Sequence, residues 1–322
     1  MIAMGWIGYV PDIEELQNPK IRLATEIYSA DLEVLGRYYY KENRVGVSYA
    51  EISPNVVQAL IATEDKRYYS HSGIDGKGLV RAFAYFGKKG GGSTITQQLA
   101  KQLFSKTARN LVERLLQKPI EWVIAVKLER LYSKEEIIAL YFNQVDFLNN
   151  AVGIKSAAYS YFNTTPDKLT IEQAATIVGM CQNPSANNPK KNPEKSKQRR
   201  NVVLQQMYYA KDLTKEQYDS LRNTPFTVDF HRFDHKDGLA AYFREYLRKI
   251  LTAGEPKKSD YHDWQKAQYD KDLWQWENNP LYGFCKKNKN QNGDNYDIYK
   301  DGLKIYTTID SHMQQYAEEA VN

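Results

Sequence analysis

The sequence predicts a mainly α-helical protein with a small β-structured flank, and three observations carry that prediction. Apolar residues recur at helical spacing between Ser53 and about Leu221: Val56, Val57, Leu60 and Ile61, then Ile95, Leu99 and Leu103, then Ile124, Leu128 and Leu131. Ser53-Pro54 is a helix start, a capping hydroxyl followed by a proline whose fixed φ suits the first helical position. β-Branched and aromatic residues crowd two stretches outside that region, Ile21 to Tyr40 and Leu303 to Ile309.

The elements follow in order. Met4-Gly5-Trp6-Ile7-Gly8-Tyr9 places aromatic residues as at the exit of a membrane segment, so a trimmed membrane anchor is expected before residues 1–46. No stretch reaches the ~18 apolar residues that span a bilayer. From Ile21 to Tyr40 the strand-forming residues are interrupted by Ser29-Ala30-Asp31, which predicts a hairpin. The helical region defines a domain over 47–225, with a loop at Asn183 to Pro193. Residues 226–322 are mixed: a helix over Leu239 to Leu251, a polar loop-rich excursion over 254–301, a strand at 303–309, and Asp310 as cap of a last helix. That last helix is expected to lead into a further domain.

Composition narrows the function classes. The chain has 322 residues, 42% of them hydrophobic, enough for a sizeable core. Its 44 basic and 39 acidic residues leave a net charge of +5, which suits a membrane surface or a pyrophosphate and makes no case for nucleic acid. Cys181 and Cys285 lie far apart without a CxxC, so a thiolate metal site is excluded, one disulfide is allowed but not implied, and two inert thiols are expected.

Several residues have the chemistry of a site. Glu64 and Asp65 fall at the C-terminal end of the helix begun by Ser53, where the helix dipole opposes negative charge and raises proton affinity, as a general base requires. A solvated acidic pair at a fraying end is the alternative. His71, six residues beyond Asp65, is either a structural hydrogen-bonder or a participant. Gly90-Gly91-Gly92 runs into Ser93-Thr94 ahead of a helix, an arrangement that leaves backbone N–H groups for an anion. Thr94, Gln98 and Lys101 share one stripe of that helix, opposite Ile95, Leu99 and Leu103. Lys118 and Glu121 are three apart and meet on a helix. If that helix starts at Pro119, Glu121 is simply a favourable first-turn acid. Leu79 to Phe86, followed by Lys88-Lys89, suits shallow membrane insertion or ordinary burial.

These blocks together resemble the family 51 peptidoglycan glycosyltransferases, the N-terminal catalytic module of class A penicillin-binding proteins. The matching stretches are Glu64 to Gly73, Gly91 to Lys101, Lys118 with Glu121, Ser133 to Asn143 and Arg199 to Leu204. The resemblance implies a lysozyme-like, two-lobed glycosyltransferase domain with a small flanking β linker. It implies polymerisation of lipid II into β-1,4 glycan strands with inversion and release of undecaprenyl pyrophosphate. Glu64 and Glu121 are then the catalytic carboxylates, Glu64 as general base. Lys101 and Lys118, with Arg114 as auxiliary, neutralise the pyrophosphate, and Asp65, His71, Ser93, Thr94, Gln98 and Arg200 complete the substrate-binding set. No protein-bound metal is expected, a divalent cation (Mg2+ or Mn2+) being at most a companion of the pyrophosphate. The partners implied are lipid II, the growing glycan, the inner membrane and other cell-wall synthesis proteins. The location implied is the periplasmic face of a bacterial inner membrane.

The chain departs from the family pattern at Gln102, where asparagine is usual, and at Gln117, where arginine is usual before the lysine. No SxxK and KTG pair of a transpeptidase occurs in the sequence. The competing expectations are a lysozyme-like wall hydrolase, which also uses paired carboxylates on a helical fold, and an inactive wall-binding scaffold.

Overall fold

The computed structural model describes residues 11, 13, 16, 23–39, 43–84, 92–104, 111–231, 238–291 and 293–321, side chains at 43, 81–84 and 111–116 excepted. They belong to two compact units, residues 1–20 with 46–232 and residues 21–45 with 233–322. The protein is mostly helical with a small sheet, as the sequence predicts.

The first unit is built from helices α1 (Pro54–Glu64), α2 (Gly76–Ala84), α3 (Ile95–Phe104), α4 (Leu111–Leu131), α5 (Lys134–Gln144), α6 (Ile154–Phe162), α7 (Ile171–Gln182), α8 (Pro193–Ala210) and α9 (Lys215–Asn223). Their starts are chemically specified. Ser53 accepts from the N–H of Asn55, with Pro54 at the first helical position. Capping boxes Ser133/Glu136, Thr170/Gln173 and Thr214/Gln217 open α5, α7 and α9, each satisfying two otherwise orphaned donors. The predicted apolar seams form one core: Val56, Leu60, Ile95, Leu99, Ile124 and Leu128 are buried, and Leu103 and Leu131 pack at its margin.

Helix α4 runs through Pro119 instead of starting there. Glu121 is therefore a mid-helix residue, and the reading of it as a first-turn acid is overturned. A proline inside a helix costs about 3 kcal/mol, and the fully buried face of Ile124, Ala125 and Leu128 on the same helix offsets that cost.

In the second unit, β1 (Thr25–Tyr28) and β2 (Val34–Tyr38) form the predicted hairpin, and β3 (Lys304–Tyr306) joins β1 in parallel. Helix α10 (Ala241–Thr252) buries Leu247 and Leu251 with Ile27, Leu35 and Tyr38 of the hairpin. Gly36 permits this approach, since a Cβ there would lie 2.2 Å from Nη1 of the buried Arg244. The 254–301 stretch, expected to be loop-rich, contains α11 (Lys266–Asn278) and the short α12 (Phe284–Lys287). Helix α11 has no fully buried residue, so there is no apolar period to read. Asp310 does cap the last helix, α13 (Ser311–Val321), by accepting from the N–H of Met313.

The sheet encloses an ion pair. Arg37 meets Glu26 at 3.0 Å, with side-chain exposures of 4% and 2%, and the Tyr28 hydroxyl donates to the same carboxylate. Burial and the adjoining Glu26 push the Tyr28 pKa up, which keeps the hydroxyl a donor. Glu26→Leu removes the carboxylate that faces the buried Arg37 and is expected to cost about 3–5 kcal/mol, measured as a lower urea midpoint by circular dichroism.

Candidate active site

Glu64 ends α1 and Asp65 is its C-cap, and this turn in the backbone sends two adjacent carboxylates in different directions. Asp65 points inward, 5% exposed. Its Oδ2 accepts the N–H of Ile95, the first residue of α3, at 3.1 Å, and its two oxygens lie 2.9 and 3.0 Å from His71 Nε2. Thr94 completes the joint: its hydroxyl accepts from the N–H of Gln97 and donates to the carbonyl of Gly73 at 2.7 Å. Gly73 has φ +89°, and a Cβ there would come within 2.9 Å of the Ala125 carbonyl on α4. One small knot of polar groups thus fastens the end of α1, the start of α3 and the middle of α4.

Three of the expected substrate-binding residues lie in this knot. Asp65, His71 and Thr94 spend their bonded polar atoms on the scaffold, because a helix start in the interior must have its N–H groups satisfied. The backbone donors of Ile95 and Gln97, at the helix start where the glycine-rich entry predicts N–H groups open to an anion, are taken by Asp65 and Thr94.

Glu64 turns the other way and stays partly open, with 18% side-chain exposure. Its Oε2 accepts from Gln98 Nε2 at 3.0 Å, and its Oε1 lies 3.7 Å from Nη2 of Arg199. Behind Gln98, the buried Tyr141 hydroxyl lies 3.3 Å from the amide oxygen. Cys181 adjoins this group. Burial first, and then the negative charge of Glu64, push its thiol pKa up to about 12, which makes it the inert thiol that the sequence suggested.

The second carboxylate sits where α3 and α4 meet. Glu121 is fully buried and pairs with Lys118 Nζ at 2.8 Å, and the same ammonium donates to Ser93 Oγ at 3.1 Å. Lys118 retains 31% side-chain exposure, so a cation held by a buried acid faces outward beside a serine hydroxyl. Lys101 is exposed in the last turn of α3, one turn beyond Gln98, where a positive charge complements the helix dipole. Gln98 and Ser93 belong to one short segment, so the surroundings of Glu64 and those of Glu121 are joined through α3. Gly90 and Gly91, the side chains of Arg114 and of residues 81–84, and all of 85–89 lie outside what the structure describes, although Val80 is an exposed apolar residue.

Arg200 is not at this site. It is 1% exposed and donates to Asn201 Oδ1 and to the carbonyls of Arg222 and Thr224. The arginine that faces Glu64 is its neighbour Arg199, which the motif alone does not single out. The signal lies in the helix phase: Arg200 shares the buried stripe of α8 with Val203, Leu204 and Met207, and a one-residue step turns a helix by about 100°. Arg200→Ala is accordingly expected to cost about 2–4 kcal/mol by leaving buried carbonyls unpaired, whereas Arg199→Ala stays within about 1 kcal/mol of the parent. Chemical denaturation of the two variants checks both values.

The family model described as Transglycosylase matches residues 31–208, more than half of the chain. Penicillin-binding protein 1A of Escherichia coli (strain K12) is 32% identical over 316 residues, covering 97% of this chain and 32% of that protein. Penicillin-binding protein 1A of Vibrio cholerae is 30% identical over 324 residues, covering 98% and 34%. A crystal structure of penicillin-binding protein 1A from Haemophilus influenzae overlaps 93% of this chain and 29% of its own, at 20% identity and a TM-score of 0.37. The chain spans about a third of the length of the curated relatives it matches. On the extent of the family match, the chain belongs to the transglycosylase family of peptidoglycan glycosyltransferases.

Proposed function

We propose that the protein polymerises lipid II, a lipid-linked disaccharide, into β-1,4 glycan strands, with Glu64 as the general base. The observation that carries this is the partly open Glu64 carboxylate, held by Gln98 on the same short helix segment that brings Ser93 to the Lys118–Glu121 pair. Glu64 takes the proton from the 4-hydroxyl of the acceptor sugar as that oxygen attacks the anomeric carbon of the growing chain. The bond from that carbon to the pyrophosphate breaks on the opposite face, so the configuration inverts and undecaprenyl pyrophosphate departs.

The leaving group gathers negative charge, which a preorganised cation stabilises most effectively. Lys118 suits that role because Glu121 and Ser93 fix its ammonium before substrate arrives. Lys101 supplies a second positive charge on the same side of the sequence motif, in the last turn of α3. Glu121 thereby acts through Lys118 as well as through its own charge. A resident divalent cation suits these residues poorly, since the buried carboxylate is already paired with an ammonium at 2.8 Å. Lys118 and Lys101 are the protein's own cations for the pyrophosphate in this reading.

A lipid-borne substrate places the reaction at a bilayer, on the periplasmic face of the inner membrane, where other cell-wall synthesis proteins also work. No helix among the described residues is long and apolar enough to cross a membrane. The exposed Val80 on α2, the net positive charge and the basic end of the Leu79 to Lys89 stretch favour contact with an anionic surface.

Glu64→Gln is expected to reduce polymer formation from lipid II by at least about 1,000-fold, with the melting temperature unchanged. Polymer output equal to the parent's eliminates the base assignment. Lys118→Ala is expected to lower kcat by about 100-fold and to destabilise the protein by removing the ammonium that pairs with the buried Glu121. Incubation with mature wall separates transfer from hydrolysis, because a hydrolase shortens the strands. Inhibition of polymer growth by moenomycin is the expected pharmacological signature.

A further inference from the structure

A carboxylate at the C-terminal end of a helix is poorly restrained by its own backbone, yet a general base must be aimed at one hydroxyl to within about 1 Å, beyond which rates fall about 100-fold. Among the described residues, the restraint on Glu64 comes chiefly from one hydrogen bond. Arg199 at 3.7 Å is too far for a hydrogen bond and attracts the carboxylate without fixing its direction. Gln98 at 3.0 Å does fix it, but only while its NH2 end faces Glu64, and the two ends of a carboxamide have nearly the same shape.

What holds that amide lies one residue deeper. Tyr141 on α5 is 1% exposed, and its hydroxyl reaches the Gln98 oxygen at 3.3 Å. Burial pushes the Tyr141 pKa far up, so its hydroxyl keeps its proton at any working pH. Cys181 on α7 lies against the same hydroxyl and is likewise kept protonated. The hydrogen-bond donors then run in one direction, from Tyr141 O–H to the Gln98 carbonyl and from Gln98 N–H to Glu64, and such a chain polarises cooperatively towards the charge at its end. With the amide reversed, its oxygen would oppose the carboxylate.

We propose that Tyr141 is a positioning residue for glycosyl transfer, orienting the Glu64 carboxylate through the Gln98 amide without touching substrate. The proposal rests on Glu64 being the base. Groups facing Glu64 are Gln98 from α3, Arg199 from α8 and Cys181 from α7, with Tyr141 behind Gln98, so the hydroxyl of Tyr141 is removable without altering a formal charge at the site.

The test is a double-mutant cycle on the full chain, reading kcat and KM with lipid II. Tyr141→Phe is expected to lower kcat about 5- to 20-fold, with KM within about twofold and the melting temperature nearly unchanged. Gln98→Ala is expected to lose at least as much, and the double variant no more than Gln98→Ala alone, because Tyr141 acts only through Gln98. Unchanged kcat in Tyr141→Phe, or losses that multiply in the double variant, overturn the proposal. Glu64→Gln assayed alongside separates the two readings: activity retained there removes the base assignment, whereas an inactive Glu64→Gln with multiplying Tyr141 and Gln98 losses removes only the role of Tyr141. Should Tyr141→Phe fail to fold, 3-fluorotyrosine at position 141 retains the ring and hydroxyl while changing donor strength. It is expected to shift kcat in the parent and not in Gln98→Ala, and equal shifts in both overturn the proposal.

Discussion

The carboxylate of Asp65 is the constraint on which the site depends. By accepting the first N–H of α3 and meeting His71, it satisfies a buried helix start and ties that start to the end of α1. Everything beside Glu64 follows from the tie. Because Asp65 is committed inward, the next residue back must emerge on the other side of the chain, where Gln98 and Arg199 receive it. Because α3 begins where Asp65 holds it, Ser93 arrives beside Lys118, and a buried acid can support a partly exposed ammonium. The two carboxylates proposed to share the reaction thus flank a third whose hydrogen bonds run to the scaffold.

This division of labour explains which parts of the site were legible in the sequence. Helix positions were readable because burial writes a period into the chain: Val56, Leu60, Ile95, Leu99, Ile124 and Leu128 all lie in the core they predicted. Glu64, Gln98, Ser93, Lys118 and Glu121 were readable as a group because the motifs that carry them are contiguous, and the structure links them in two adjoining clusters. What a contiguous motif does not disclose is which of its members face outward. Asp65, His71 and Thr94 belong to the same blocks yet serve the scaffold, and only the hydrogen bonds of a folded chain separate them from their neighbours.

The other features that a local reading leaves open have physical causes of the same kind. Arg199 and Arg200 are chemically identical, and a phase difference of one residue on α8 decides which is buried against carbonyls and which faces Glu64. Pro119 permits either a helix start or a bend within a helix, and tertiary packing carries α4 through it. The 254–301 stretch hid a helix because α11 buries no residue fully and so leaves no apolar stripe to detect. In each case long-range packing overrode or erased a local signal.

Gly73 shows how little material sets the dimensions of the candidate site. Its Cα lies against the α4 backbone at Ala125, its carbonyl receives both Thr94 and Gln97 of the α3 start, and its φ is one that side chains rarely adopt. The gap between the helix bearing Glu121 and the turn that follows Glu64 is therefore gauged by a single hydrogen atom. Any bulkier spacer at that point would part that helix from that turn from inside, leaving every group of the candidate site present and none of them in register.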